Sequence, residues 1–304
     1  MNKLPLLLGF ALLAGVVQMA LATKIIADPA ALMAIPLACI GYVVVIWQCQ
    51  RIGLTVETRR FLTRLGITGL TVRLLLGGTL LATGVAGFFG ADFLTYHEIG
   101  SGVANHWLGG PPLPQGDMNR YLNLGSGKSH GSRAGYYYFV AFFYALCGTS
   151  EYVMAVVMSI LGALSCLLVY AIGRDMFTEQ VGRRAGALAC LFPSVVLWTC
   201  LGYKDGLTIF CLLLAYPCTQ LLQRKLDILP GLGLVLSLGA SYYVRGYIFY
   251  VAVGPIILAL TSRNSGEKRV FYNQLFGLLI LVVALFASGL GNNLLNQLQE
   301  VNLK

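Results

Sequence analysis

The chain has 304 residues, of which 57% are hydrophobic and only 11% are Asp, Glu, Lys or Arg. Soluble domains carry about 25% charged residues, so this composition excludes a soluble globular enzyme, a disordered chain and a secreted disulfide scaffold. The formal net charge is +9, and the positions of the basic residues decide whether it indicates nucleic-acid binding or membrane topology.

Apolar runs that approach or exceed the length needed to cross a bilayer, about 20 residues, recur along the chain. We predict an all-α polytopic membrane protein with nine spans, at residues 4–23, 30–50, 65–90, 152–172, 185–203, 206–223, 228–244, 246–262 and 271–290. The first run also resembles a signal peptide ending at Ala20-Leu21-Ala22, but the later spans need no separate export signal, so we favour an uncleaved span. The eight cysteines lie in or at the ends of apolar runs and are interpreted as small hydrophobic residues.

The basic residues follow the alternation of these spans. With the N-terminus inside, the inner segments hold only five acidic residues but thirteen basic ones: Lys3, Arg51, Arg59, Arg60, Arg64, Arg174, Arg183, Arg184, Arg224, Lys225, Arg263, Lys268 and Arg269. An excess of Lys and Arg in short cytoplasmic loops sets membrane orientation. The charge therefore indicates topology and no nucleic-acid partner. We expect a bacterial inner-membrane protein with a cytoplasmic N-terminus.

Residues 134–148 are apolar but number only fifteen, and seven of them are Tyr or Phe. A crossing here would move Arg183, Arg184 and every later basic loop to the outside. Tyr and other aromatic residues favour the headgroup level. We predict an interfacial or re-entrant helix on the outer face, with a short true span as the alternative.

The spans and loops suggest three parts of the chain. Residues 1–64 supply two extra N-terminal spans, residues 65–290 form one membrane module with an outer loop at 91–150, and residues 291–304 are a short tail. A long loop in a compact fold is usually functional. Within the module, Gly182 and Gly186 have the spacing of residues that pair helices.

Two apparent motifs in the outer loop do not support an assignment. Gly125-Ser-Gly-Lys-Ser129 lacks the first glycine of a P-loop, because Leu122 occupies that position. His97-Glu98 lacks the second histidine of a zinc-protease motif, because Ser101 stands there. The loop's His and carboxylate residues fit no standard metal spacing. We therefore predict no cofactor and keep a divalent metal as an alternative.

Charges next to spans are the stronger signal, because desolvating a charge is costly. Asp92 follows the span at 65–90, Lys204-Asp205 interrupts an apolar stretch, and Arg245 separates two spans. A carboxylate can act as a general base on an acceptor hydroxyl, and cations can bind a phosphate leaving group. The alternative for Lys204 and Arg245 is a cation that snorkels from a helix end, and the alternative for Asp92 is a carboxylate that only marks a helix end.

The segment 65–290 resembles the GT-C superfamily of polyprenyl-phosphate-sugar-dependent glycosyltransferases, which includes protein O-mannosyltransferases and aminoarabinose transferases. The resemblance lies in Asp92-Phe-Leu-Thr-Tyr96, which matches the Asp and Tyr of an Asp-Glu-x-x-Tyr motif, in the aromatic stretch from Gly135 to Gly148, in Leu168–Phe177, and in Pro193-Ser194 with Lys204-Asp205. The chain departs from the motif at Phe93, where the family has a second acid.

The resemblance implies an inverting glycosyltransferase of the outer membrane face. Its donor would be a polyprenyl-phosphate-linked sugar whose tail lies among membrane lipids, and its acceptor a glycan, lipid or protein. Asp92 is the predicted catalytic residue. The predicted substrate-binding residues are Tyr96, His97, Glu98, Asp117, Arg133, Lys204, Asp205 and Arg245.

Two other functions fit the same composition. A transporter or flippase of lipid-linked saccharides would move its substrate without chemistry, and such proteins often contain repeats, broken helices and midplane charges. Pro193, Pro217 and Pro255 could break helices, but the sequence shows no repeat and no charge near a midplane. A polysaccharide polymerase also uses outer-loop cations, but its main loop lies later in the chain.

Overall fold

The computed structural model describes residues 29–90, 92–117, 122, 134–224 and 227–261, and these residues form helices with no β-strand among them. The longer helices are α1 (Ala34–Ile52), α2 (Val56–Ala82), α3 (Asp92–Trp107), α4 (Ala134–Cys147), α5 (Glu151–Met176), α6 (Glu179–Leu191), α7 (Pro193–Cys200), α8 (Lys204–Arg224), α9 (Ile228–Val244) and α10 (Gly246–Thr261). Shorter helical segments occur at Pro29–Met33, Val85–Phe89 and Gln115–Asp117. The chain divides into two compact units, residues 1–210 and residues 211–304.

Four helical segments within the described residues are long and apolar enough to cross a membrane: Pro29–Ile52, Val56–Ala82, Glu151–Met176 and Lys204–Gln223. A fifth candidate arises if α6 and α7 together make one span. The chain is therefore an all-helical integral membrane protein, as predicted. Helices α9 and α10 occupy the predicted spans 228–244 and 246–262, but they have only 17 and 16 residues. The spans 4–23 and 271–290 lie outside the described residues, so the count of nine stays a prediction.

The span predicted at 65–90 is shifted in the structure. Helix α2 begins at Val56, because the Thr55 side chain accepts a hydrogen bond from the Thr58 amide, which is the usual N-cap arrangement. It ends at Ala82, and Gly84 then adopts a positive φ of 73°, which favours glycine and terminates helices. The predicted boundary between residues 64 and 65 therefore falls inside a helix.

The span predicted at 185–203 is broken into two helices. Helix α6 ends at Leu191, and α7 begins at Pro193 with a bend of 58°. Proline has no backbone N–H and cannot continue the hydrogen bonding of the preceding helix. The continuous apolar pattern concealed this break, because hydropathy does not register a change of direction.

The first unit is built around the contact of α2, α5 and α6. Its core contains Leu62, Leu70, Val156 and Cys166, all at most 1% exposed. Gly182 and Gly186 let α6 approach α5 closely, since a Cβ on Gly182 would lie 2.8 Å from the Tyr170 carbonyl oxygen. The helix-pairing spacing of these two glycines thus serves packing within the chain. All eight cysteines are free and six are buried, which agrees with their interpretation as hydrophobic residues.

The second unit, as far as it is described, packs the C-terminal part of α8 with α9 and α10. Its core includes Cys218, Leu222, Leu234, Leu238 and Phe249. Arg245 is the single residue between α9 and α10, with an extended backbone (φ −149°, ψ 86°) that separates the two helices.

Candidate active site

Asp92 is the first residue of α3. A carboxylate is favoured there because the N-terminus of a helix carries a partial positive charge. Tyr96 lies one turn later on the same face, and its hydroxyl donates a hydrogen bond to Oδ2 of Asp92 at 3.1 Å. The Asp92 side chain is nevertheless 73% exposed. The carboxylate is therefore oriented by one donor and open to a substrate.

Lys204 reaches Asp92 from a different part of the chain. It is the first residue of α8, and its Nζ lies 4.0 Å from Oδ2 of Asp92 and 5.4 Å from the centroid of the Tyr96 ring. Only 16% of the Lys204 side chain is exposed, so its stem is packed while its ammonium faces the carboxylate and the ring. We call Asp92, Tyr96 and Lys204 the Asp92 corner.

Aromatic rings from helix α4 enclose Tyr96. Its ring centroid lies 4.8 Å from that of Tyr136 and 5.6 Å from that of Tyr137. Burial raises the pKa of Tyr96, and the negative charges of Asp92 and Asp205 raise it further. The phenol therefore stays protonated and remains a donor to Asp92. Asp205, next to Lys204, belongs electrostatically to the same site.

Phe93, which stands where the resembled motif has a second acid, belongs to the core behind the corner. It is 3% exposed, and its ring packs on Tyr203 with centroids 5.9 Å apart. Tyr203 also contacts Trp198 at 5.0 Å and immediately precedes Lys204. Tyr203 was not predicted as a site residue, and its position immediately before Lys204 was the signal available in the sequence.

Three other predicted site residues of the first unit have different surroundings from the Asp92 corner. Nδ1 of His97 lies 2.8 Å from the hydroxyl of Tyr144, which ties it to α4. Glu98 is exposed on α3, and Asp117 is half-buried in the turn Gln115–Asp117.

Two further predicted residues belong to other parts of the sequence. Arg245 belongs to the second unit, where its guanidinium donates to the Tyr247 hydroxyl at 2.8 Å. Arg133 lies outside the described residues.

No group of three or more His, Cys, Asp and Glu side chains suited to a metal ion occurs within the described part of the chain. His97, Glu98, His106 and Asp117 thus do not assemble into such a group, whereas His130 lies outside the described residues. The P-loop-like segment 125–129 lies outside them as well.

Comparison with known proteins gives one match. Residues 134–287 match the family model described as dolichyl-phosphate-mannose-protein mannosyltransferase. The match covers half of the chain, so the chain belongs to this family, which is of the GT-C type. The matched range begins after Asp92 and Tyr96 and includes Lys204. No curated protein and no solved structure matches the chain.

Proposed function

We propose that this membrane glycosyltransferase of the dolichyl-phosphate-mannose-protein mannosyltransferase family moves a sugar from a polyprenyl phosphate to a hydroxyl of a glycan, lipid or protein. Asp92 takes the proton from the acceptor hydroxyl as its oxygen attacks the anomeric carbon. The bond from that carbon to the phosphate oxygen breaks, and the polyprenyl phosphate leaves with the electron pair. Attack from the face opposite the phosphate inverts the configuration.

The state of the Asp92 carboxylate carries this proposal. One oxygen is held by Tyr96 at 3.1 Å and faces Lys204 at 4.0 Å, while 73% of the side chain is exposed. A general base must reach within about 3 Å of the proton it removes. An oriented and open carboxylate satisfies that need, and Tyr96, held protonated by burial, does not compete with it for the acceptor's proton.

We propose Lys204 as a cation that binds the phosphate of the donor, with Asp205, His97, Glu98, Asp117 and Arg133 contributing to sugar or acceptor binding. Arg245, a residue of the second unit, is proposed separately as a substrate-binding cation. An ammonium at the edge of an apolar helix bundle suits a lipid phosphate, because the charge-assisted contact forms where the lipid tail meets the protein. The family's donor, named in its description, is a lipid-linked mannose.

We place the reaction at the outer face of the membrane, because the inner loops then hold the excess of basic residues. A cysteine at Ser126 should react with a membrane-impermeant reagent added from outside, and a cysteine at Thr178 should react only after permeabilisation, each in a background free of native cysteines. The reverse pattern, or outside labelling at both positions, would contradict the proposed orientation.

The catalytic assignment is tested by Asp92→Asn, which keeps the shape and removes the basicity. Release of dolichyl phosphate from dolichyl-phosphate mannose should fall by about 10²–10⁴-fold, with donor binding retained. Glu151→Gln, which changes the first residue of α5, a helix-start carboxylate without an assigned role in the site, is the matched control and should retain turnover.

Two other results would contradict the proposal. Normal transfer in Asp92→Asn together with its loss in Glu98→Gln or Asp117→Asn would move the base to another carboxylate. Movement of a lipid-linked saccharide across vesicles without any glycosyl transfer, in the native protein and all variants, would instead establish a transporter.

A further inference from the structure

Arg73 in α2 is completely buried, with 0% exposure. Its Nε donates to Oγ1 of Thr199 at 2.8 Å, and its two terminal nitrogens donate to the carbonyl oxygens of Gly69, Ala189 and Cys190 at 2.9, 3.3 and 3.2 Å. Among the ion pairs of the described residues, none involves Arg73. A buried charge is costly unless it is hydrogen-bonded, so the carbonyl groups and the hydroxyl are what stabilise this guanidinium.

The carbonyl groups of Ala189 and Cys190 belong to the end of α6. The last backbone hydrogen bond of that helix is donated by the Phe192 amide to the Leu188 carbonyl oxygen at 2.8 Å. Pro193 has no N–H to offer the Ala189 carbonyl four residues earlier. Arg73 supplies the missing donor, and its positive charge lies at the negative end of the α6 dipole. A side chain from α2 therefore satisfies the carbonyl groups that the break between α6 and α7 leaves without a helical partner.

Glycines make the space that this contact needs. A Cβ on Gly162 would lie 2.6 Å from Nε of Arg73 and 2.7 Å from Oγ1 of Thr199. A Cβ on Gly77 would overlap the carbonyl oxygen of Cys200. Gly162 of α5 thus leaves room for the bond between Arg73 and Thr199, and Gly77 of α2 lets that helix approach the end of α7.

Helix α7 leads directly into the Asp92 corner. Thr199, the acceptor of the Arg73 bond, is followed by the short turn through Tyr203 to Lys204. The hydroxyl of Thr199 itself donates to the Val195 carbonyl at 2.6 Å, so its lone pairs remain for Arg73. Trp198, next to Thr199, packs on Tyr203 at 5.0 Å.

We propose that Arg73 is a positioning residue for the proposed transfer reaction: by joining the end of α6 to Thr199 it fixes the direction of α7 and thereby the place of Lys204 beside Asp92. The proposal rests on the proposed function for its catalytic consequence, whereas its structural part concerns α7 alone. Arg73 would thus act on the reaction through α7, without contacting the Asp92 corner itself.

The experiment uses Trp198 as the reporter of α7, in full-length protein whose other two tryptophans are replaced (Trp47→Phe, Trp107→Phe). Arg73→Met should shift the Trp198 emission to longer wavelength and increase its quenching by acrylamide. Transfer from dolichyl-phosphate mannose should fall by about 10²-fold, the cost of a displacement near 1 Å at a reacting site, with the KM for this donor raised. Arg64→Met, which removes an exposed arginine from the same helix, is the matched control and should change neither quantity.

Two further variants keep the test independent of folding defects. Thr199→Val removes only the acceptor on α7 and should cause a smaller shift in the same direction, and its effect should not add to that of Arg73→Met. Arg73→Lys has one nitrogen and cannot reach both α6 and Thr199, so it should restore transfer only in part. Full transfer activity in Arg73→Lys would contradict the proposal that Arg73 must bind both the end of α6 and Thr199.

The results separate this proposal from the proposed function. Unchanged Trp198 emission and unchanged donor KM in both Arg73→Met and Thr199→Val would overturn the positioning role, whatever Asp92→Asn does. A shifted emission in both variants supports that role even if Asp92→Asn retains full transfer, which would overturn the proposed base alone.

Discussion

Asp92 and Glu179 each occupy the first turn of a helix, but their carboxylates have different surroundings. Glu179 accepts hydrogen bonds from Tyr170 at 2.9 and 2.8 Å, from Thr58 at 3.2 Å and from Arg183 at 3.0 Å. Asp92 accepts one bond from Tyr96 at 3.1 Å and faces Lys204 at 4.0 Å. The first carboxylate joins α2, α5 and α6, while the second retains an open side.

The difference distinguishes a structural carboxylate from a candidate catalytic one. The hydrogen-bonding capacity of Glu179 is largely used within the protein, and Arg183 extends its network to Glu57 at 2.8 Å. The 73% exposure of Asp92 leaves lone pairs for an outside donor. Lys204 and Tyr96, which flank the proposed base, are the residues with little exposure, at 16% and 6%.

The largest effect that we expect among these variants is a loss of donor affinity when Lys204 or Arg245 is replaced. Lys204→Ala should weaken binding of dolichyl-phosphate mannose, because a charge-assisted contact contributes about 1.5–3 kcal/mol, or about 10- to 150-fold in affinity. Arg245→Ala tests the cation of the second unit by itself and should also weaken donor binding. Titration calorimetry in detergent measures both, with Arg60→Ala, an exposed cation of α2, as the control. Unchanged affinity in both variants would identify them as snorkelling helix-end residues.

A smaller effect is expected from Tyr96→Phe, which removes the hydrogen bond from the Tyr96 hydroxyl to Asp92. Turnover should fall by about 10-fold, in line with the loss of about 1.4 kcal/mol from a hydrogen bond to a charged group. Tyr137→Phe, on the neighbouring ring, serves as the comparison. A turnover in Tyr96→Phe equal to that of the native protein would mean that Asp92 needs no orienting donor.

Tyr96 also predicts the direction of a pH effect. Its pKa is raised above the ordinary value of about 10, so the folded protein binds this proton more tightly than the unfolded chain does. Its contribution to stability is therefore constant below about pH 10 and is lost only as the pH rises through the raised folded pKa. A pH–rate profile should show no alkaline limb from Tyr96 in the neutral range, and an alkaline limb there that disappears in Tyr96→Phe would contradict the burial argument.

The smallest effect on activity is expected at Glu179. Glu179→Gln should lower the melting temperature in detergent, because the acceptor of several hydrogen bonds loses its charge. The expected loss in the free energy of unfolding is about 1–3 kcal/mol in total. Its turnover should stay close to that of the native protein, which is the opposite of the result expected for Asp92→Asn. A Glu179→Gln variant of native stability and lost turnover would reverse the comparison between the two carboxylates.

Part of the candidate site was accessible from the sequence. Asp92, Lys204 and Asp205 were selected because charges beside apolar helices are expensive to bury, and the structure brings Lys204 to Asp92. Tyr96 was selected from the resemblance and hydrogen-bonds Asp92. Arg73 was not selected, because a single arginine inside a span has no partner visible in the sequence. Its partners, the carbonyl groups of α6, are backbone atoms that every sequence contains.

Hydropathy alone was enough to establish a helical membrane protein, since lipid requires each spanning segment to satisfy its own backbone hydrogen bonds. It also gave approximate places for α1, α5 and α8. The tertiary structure decided where α2 begins and ends, that α6 and α7 are two helices bent by 58°, and that Phe93 is a core residue 3% exposed. These features depend on caps, on a proline and on contacts between distant helices, which are properties of directions and distances that a hydrophobicity pattern does not contain.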